Sequence, residues 1–154
     1  MGERGFRVVV AGAGVAGLFM AETLKRAGID FTVYEKAGEV GGTWRDNTFP
    51  GLFVDVLSRQ YEFPFQPNYG WSRKYAPAAE IWAYIKKVAR DRGLTKFIRF
   101  NEEVVRARFS EGRWQIETAK GGAGTPESIA SKLTIDIGGI RSPGSSAINA
   151  APCA

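Results

Sequence analysis

The chain has no histidine and a single cysteine in 154 residues. Without histidine it holds no Ser-His-Asp triad, no Cys-His pair, no zincin helix and no imidazole general base. Cys153, beside the terminus, cannot build a disulfide framework or a thiolate metal cluster by itself. Long hydrophobic runs are also missing. Val8–Ala11 is far too short to span a bilayer, and turn residues rather than a cleavage site follow it. These absences lead us to expect a soluble, cytoplasmic protein with no membrane partner and no bound metal. Acid is in the minority, 16 Asp and Glu against 21 Lys and Arg, which raises a nucleic-acid reading. The clustered cations, Lys86, Lys87, Arg90, Arg92, Lys96 and Arg99, follow one predicted helix and its end without a groove-reading motif. They read as a solvated face, so no nucleic-acid partner is expected.

What is present starts with an ordered series. Phe6–Ala11 reads as a strand and Gly12-Ala13-Gly14-Val15-Ala16-Gly17 as a glycine turn. An amphipathic helix then runs to Gly28, and Phe31–Glu35 reads as a second strand that ends in an acid. A Gly-x-Gly-x-x-Gly alone is weak; between a strand and a helix it acquires a mechanism. Gly12 permits the tight turn, Gly14 lets the backbone approach a pyrophosphate, and Gly17 lets helix and strand pack closely. The helix N-terminus offers unpaired N–H groups and its dipole to the phosphates. Glu35 lies 18 residues beyond Gly17, near the spacing of about 20 expected for the acid that holds a ribose 2′-hydroxyl. A carboxylate there repels a 2′-phosphate, so the site suits FAD or NAD rather than NADP. Glycine-rich strand-to-helix turns also occur in proteins that bind no nucleotide; it is the whole series in register that favours the nucleotide.

The first helix is predicted from Val15 to about Ala27, with Leu18, Ala21, Leu24 and Lys25 at helical spacing. From Ala37 to Ala76 there is no sustained periodicity, but many glycines, prolines and aromatics. Some 40 residues with little regular structure are usually functional or disordered, and the aromatic content argues against disorder. The aromatics either pack against something flat and apolar or fill a core. A second helix is predicted over Pro77–Arg92, with Pro77 at its first position and Gly93 at C′. Its buried stripe is read as Ile81, Trp82, Ile85, Val88 and Ala89. Short strands are read at Phe97–Phe100, Val104–Phe109 and Arg113–Thr118, the last two as a hairpin with one wet face. Gly121–Pro126 reads as a loop, Lys132–Ile137 as one more strand, and the residues after Pro143 as a frayed tail.

The run Gly41-Gly42-Thr43-Trp44, then Phe49-Pro50-Gly51, then Asp55 and Tyr61 resembles the N-terminal FAD-binding region of class B flavoprotein monooxygenases. These are the Baeyer–Villiger and related flavin-containing enzymes, and Phe49 stands where they usually have Tyr. The resemblance covers about Phe6 to Thr118. It implies a Rossmann-like α/β FAD-binding domain of the GR2 type, a βαβ unit with a small antiparallel β-meander, C-terminally truncated. Residues 1–119 form the partial domain and 120–154 a Gly/Ser/Ala-rich tail. Ile135–Pro143 resembles a degraded form of the family's strand that returns to this domain.

The resemblance and the turn together assign cofactor binding to Gly12, Gly14, Val15, Ala16, Gly17, Glu35, Lys36, Gly42, Thr43, Trp44, Asp55, Tyr61 and Val104. Trp44 can pack on the isoalloxazine or serve as core. Asp55 is the flavin-side contact, and Val104 matches a position whose backbone meets the adenine. Gly41 and Gly42 are read as letting backbone approach the cofactor. No residue is assigned as a catalytic acid or base. The chain has neither the family's second glycine motif for NADPH nor its His-containing fingerprint. It is therefore expected to be the FAD-binding part of a longer enzyme and to be inactive alone. The intact homologue is expected to use NADPH and O₂ to oxidise a ketone or a heteroatom of a small organic substrate. A stand-alone dinucleotide-binding module, or part of another flavoenzyme such as an amine oxidase, are the alternatives.

Overall fold

The computed structural model describes residues 7–111, 113–120, 127–131 and 133–136. Strand β1 (Arg7–Ala11), helix α1 (Val15–Arg26) and strand β2 (Asp30–Glu35) form the βαβ unit. The two strands pair in parallel, Arg7 opposite Asp30 through Ala11 opposite Tyr34. Parallel strands need a crossover, which α1 supplies. Val8, Val9, Val10, Phe31 and Val33 are buried, as expected for strands covered on both faces. On α1 the buried positions are Gly17, Leu18, Ala21, Glu22 and Leu24. Lys25, placed on the apolar stripe by spacing, is exposed instead, while Glu22 is buried. Glu22 is tolerated there because the Arg92 guanidinium donates to its carboxylate and Lys25 lies 3.7 Å away.

Helix α2 (Thr43–Asp46) is a single turn, and helix α3 (Ala78–Asp91) follows the long aromatic segment. Pro77 is the residue that caps α3 rather than its first turn residue. Both long helices end the same way. Gly28 (φ 68°) and Gly93 (φ 61°) take the left-handed conformation. Ile29 N–H donates to the Leu24 carbonyl and Leu94 N–H to the Ala89 carbonyl, the Schellman pattern. The buried stripe of α3 is Ile81, Tyr84, Ile85, Val88 and Ala89, so Tyr84 takes the place expected for Trp82. Trp82 sits at the edge of the stripe and donates to the Val40 carbonyl at 2.9 Å.

Strand β3 (Ile98–Phe100) pairs in parallel with β2. Strands β4 (Glu102–Ser110), β5 (Arg113–Lys120) and β6 (Glu127–Ser131) form an antiparallel sheet, with a register shift between Val104 and Arg106. Strand β7 (Leu133–Asp136) pairs in parallel with the free side of β1, Ala11 opposite Asp136. The main sheet therefore has the order β3-β2-β1-β7 and the smaller one β4-β5-β6. Strand β7 falls on the expected last strand, whereas β6 was not expected from the residue pattern. Within β4 the alternation is incomplete: Ala107 is buried but Phe109 is half exposed. The expected loop at 121–126 and the expected tail after Pro143 lie outside the described residues. Among the described residues no helix is long and apolar enough to cross a membrane.

Candidate functional site

The glycine turn sits at the C-terminal end of β1, beside the C-terminal end of β2. Gly12 has φ 92° and donates its N–H to the Tyr34 carbonyl at 2.7 Å, which joins the two strand ends. An added Cβ on Gly17 would lie 2.0 Å from the Gly12 carbonyl oxygen, so the first turn of α1 packs on the turn's own backbone. Gly14 caps α1 with no side-chain hydrogen bond, and no acid occupies the first helical turn. The N-terminal amides of α1 are thus left to a ligand or water. Val15 is half-buried and Ala16 exposed at this end.

Glu35 is 3% exposed. One carboxylate oxygen accepts from Ala13 N–H at 2.7 Å; the other accepts from Ala37 N–H at 2.9 Å and from Arg45 at 3.1 Å. The acid at the end of β2 and the glycine turn are therefore held together directly. Arg45, only 10% exposed at its side chain, also donates to the Glu39 carbonyl at 2.6 Å and pairs with Asp46 at 2.8 Å. Sequence reasoning missed this arginine. Its signal was a cation one residue past the Gly-Gly-Thr-Trp run, but its partner lies ten positions back. Glu35 is half of an ion pair, so bare repulsion cannot be what it offers against a 2′-phosphate. What remains is its acceptor-only chemistry: an ionised carboxylate takes a hydroxyl donor and has nothing to give a phosphate oxygen.

The second glycine pair packs on the first. Gly41 N–H donates to the Ala13 carbonyl at 3.1 Å, and a Cβ on Gly42 (φ 53°) would lie 3.1 Å from the Gly14 Cα. Gly41 itself is confined by protein: its Cβ would fall 2.7 Å from the Trp82 ring and 2.8 Å from the Arg45 Cβ. Trp82 and Arg45 cross over it, so no side chain fits at this position. Thr43 begins α2 and is exposed, as is Lys36.

Trp44 and Tyr61 meet: the indole N–H donates to the Tyr61 hydroxyl at 2.8 Å, with the rings edge to face at 5.4 Å. Both pack against the main core, so the core alternative for Trp44 describes its contacts. Tyr61 and Val15 share a cavity of about 210 Å³ with Gln60, Glu62, Phe63, Tyr84 and Ile85. It opens at the first residue of α1, next to the uncapped amides. Tyr84 anchors its floor, accepting from Phe63 N–H and donating to the Gln66 carbonyl, each at 2.7 Å. Burial pushes the Tyr84 phenol up to about 12, the Glu62 charge adding to the rise and the Phe63 hydrogen bond opposing it.

Val104 packs with Val9, Tyr34, Ala107 and Ile116, and Tyr34 is the neighbour of Glu35 in β2. Asp55 is exposed and makes no hydrogen bond or ion pair with the described residues. Phe49, Phe53 and Val56 around it are 57%, 42% and 40% exposed, so this loop presents an apolar face with one acid on it. Among the described residues no cluster of His, Cys, Asp or Glu could hold a metal ion.

Residues 10–85 match the NAD(P)-binding Rossmann-like domain family. A Baeyer–Villiger monooxygenase of Streptomyces coelicolor is 48% identical over 118 residues, covering 75% of this chain and 23% of that protein. The FAD-binding monooxygenase tazF of Aspergillus terreus is 41% identical over 122 residues, covering 75% of this chain and 22% of its own length. This chain belongs to the Baeyer–Villiger-type monooxygenase family. Its fold agrees: an NADP-bound steroid monooxygenase superposes with a TM-score of 0.77 at 34% identity, over 84% of this chain and 25% of that one. Cyclohexanone monooxygenase superposes with a TM-score of 0.76 at 27% identity, over 85% and 26%. The chain thus spans about a quarter of the length of the monooxygenases it matches.

Proposed function

We propose that this chain is the FAD-binding part of a Baeyer–Villiger-type monooxygenase, and that it holds the adenosine diphosphate half of FAD at the glycine turn. The observation that carries this reading is the direct contact of Glu35 with the turn at Ala13 N–H. It sets a ribose acceptor beside the uncapped amides of α1. A carboxylate has about four acceptor positions, and Ala13, Ala37 and Arg45 occupy three of them. One remains for a ribose hydroxyl. The close approach of Gly14 and Gly42 leaves backbone rather than side chains facing the pyrophosphate. From there the 210 Å³ cavity at Val15 and Tyr61 continues the path toward the flavin end, and Asp55 supplies a polar contact on an apolar face.

Held by these residues, FAD would supply the redox chemistry of an NADPH- and O₂-dependent oxygenation of a ketone or heteroatom. The residues of this chain bind and orient it and exclude water from its adenosine end. None of the described residues is placed to move a proton in that reaction, so this chain alone is expected not to turn over. The test is direct. Purified protein should take up added FAD, read by flavin absorbance and fluorescence, and Gly14→Ala should weaken the uptake. NADPH oxidation by the isolated chain should stay at the buffer rate. A chain that takes up no FAD, or one that oxidises NADPH briskly, would overturn the proposal.

A further inference from the structure

A second cavity, about 360 Å³, lies away from the glycine turn and is lined by Leu57, Ser58, Arg59, Tyr69, Trp71, Arg73 and Lys74. Its chemistry is one-sided. Arg59, Arg73 and Lys74 all line it, no carboxylate does, and none of the three makes a salt bridge with a described acid. The cations of the α3 face differ in this respect. Lys86 pairs with Glu39, Lys87 and Arg90 with Asp91, and Arg92 with Glu22. The carboxylate of Glu62 is engaged by the Trp71 indole N–H at 2.6 Å. That hydrogen bond fixes the indole in the wall. Tyr69 is 80% exposed, the most exposed large apolar ring among the described residues.

The walls are built rather than incidental. Ser58 is 2% exposed. Its hydroxyl lies 3.0 Å from the Arg73 and Lys74 carbonyls and accepts from Ala76 N–H at 2.9 Å, while its own N–H donates to the Lys74 carbonyl. Arg73 and Lys74 are thereby tied by backbone to the turn that carries Arg59. Ser72, next to them, is held to Glu80 of α3 by two hydrogen bonds. The loop is fixed, and its charged ends have no described counter-charge.

We infer that this cavity binds a planar aromatic group carrying a phosphate or similar dianion. Three like charges around a low-dielectric concavity repel one another and focus the field on an anion. Arginine is suited to grip a phosphate through two parallel N–H groups. Two aromatic rings in the wall suit stacking of a flat ring between or against them. The volume lies near the lower end of small-molecule sites, which run from roughly 300 to 1,000 Å³. It accommodates one ring system with its phosphate.

The test uses the full chain labelled with ¹⁵N, read through its four tryptophan indole signals, which single Trp→Phe variants assign. With FAD added in excess, 1-naphthyl phosphate should shift the Trp71 signal in a saturable way and leave Trp44, beside the glycine turn, unmoved. 1-Naphthol and inorganic phosphate should each bind at least about tenfold more weakly. The double variant Arg73→Gln, Lys74→Gln should lose at least about tenfold in affinity for naphthyl phosphate while its uptake of FAD stays unchanged. The side chains replaced there make no hydrogen bond with the described residues, so the variant keeps its structure. Adenosine 5′-monophosphate in place of naphthyl phosphate tells nucleotides from other aromatic phosphates: tighter binding assigns the ligand to the first source, weaker binding to the second. A Trp71 signal that does not move, one that moves equally with inorganic phosphate alone, or an unchanged affinity in the double variant would overturn the inference. Because FAD uptake is read separately, failure at this cavity is distinguishable from failure at the glycine turn.

Discussion

Two adjacent stretches build the site by opposite means. The βαβ unit from Arg7 to Glu35 is held by repeating backbone structure: a parallel strand pair five residues long, one helix and its Schellman stop. The segment from Lys36 to Ala76 contains only one turn of α-helix and one short 3₁₀ turn. It is held by side chains reaching far in sequence: Trp44 to Tyr61, Tyr84 to Phe63 and Gln66, Glu80 to Ser72, and Ser58 to Arg73, Lys74 and Ala76. The comparison teaches that regular structure is not required for a fixed backbone. A segment with few ladder hydrogen bonds stays fixed when buried side chains satisfy its N–H and C=O groups instead.

The strongest way to break the first region is Gly17→Ala. Its methyl would collide with the Gly12 carbonyl at 2.0 Å, where backbone must move, and alanine's gain in helix propensity of about 1 kcal/mol cannot offset that. A loss of about 4 kcal/mol or more is expected in urea unfolding. A stability close to the parent's would show that the turn has slack.

Arg45→Met breaks the joint between the two regions. Glu35 stays buried with two amide donors but no cation. A loss of about 3 kcal/mol is expected, at the low end for a broken buried pair, and Arg45→Lys should recover part of it. Equal stability of the Met and Lys variants would mean that packing, not charge, sets the value of this side chain.

In the second region Tyr84→Phe removes one hydroxyl that serves Phe63 N–H and the Gln66 carbonyl. The expected cost is about 1–3 kcal/mol. The parent also carries a pH signature. Tyr84 stays protonated in the fold to about 12, against 10.0 when unfolded. Its contribution is therefore complete below the unfolded value of 10.0 and is lost as pH rises through about 12. Unfolding free energies measured across that window should fall in the parent more steeply than in Tyr84→Phe; parallel curves would remove Tyr84 from the alkaline response.

The smallest expected effect on stability, and the sharpest on binding, is Gly14→Ala. Its Cβ would meet the Gly42 Cα at 3.7 Å, an ordinary contact, and its φ of −77° suits any residue. Stability should change by no more than about 1 kcal/mol, while FAD affinity should fall roughly tenfold or more, about 1.4 kcal/mol. Titration and unfolding of the same sample separate the two. Lost stability with retained binding would make Gly14 the structural glycine and leave binding to its neighbours.

Much of the first region was legible because its causes are local. Strand, turn, helix and acid follow within one βαβ unit, and Gly28 and Gly93 stop their helices through their own backbone conformation. The second region was legible only as an aromatic-rich stretch that had to be ordered. Tyr61, Phe63, Phe65 and Trp71 pack on the core, whereas Phe49, Phe53, Tyr69 and Tyr75 remain exposed. Packing in the core therefore accounts for some of the aromatics and not others, and nothing in their spacing divided them. Spacing also set Trp82 on the buried stripe of α3, where the fold puts Tyr84. The choice rests on which ring finds polar partners in the packed loop, and Tyr84 finds two.

By itself the sequence determined the dinucleotide turn, the acid at the end of β2, both long helices and the family series from Gly41 to Tyr61. Each depends on neighbours a few residues apart, or on residue types that few backbones accept. The tertiary structure alone decided that Arg45 neutralises Glu35, that Gly41 is small on account of Trp82, and that β6 extends the antiparallel sheet. It also decided that three cations without a described counter-charge share a cavity with Trp71 and Tyr69. Those are contacts between distant segments, and a contact's energy exists only once packing has brought both partners out of water to the same place.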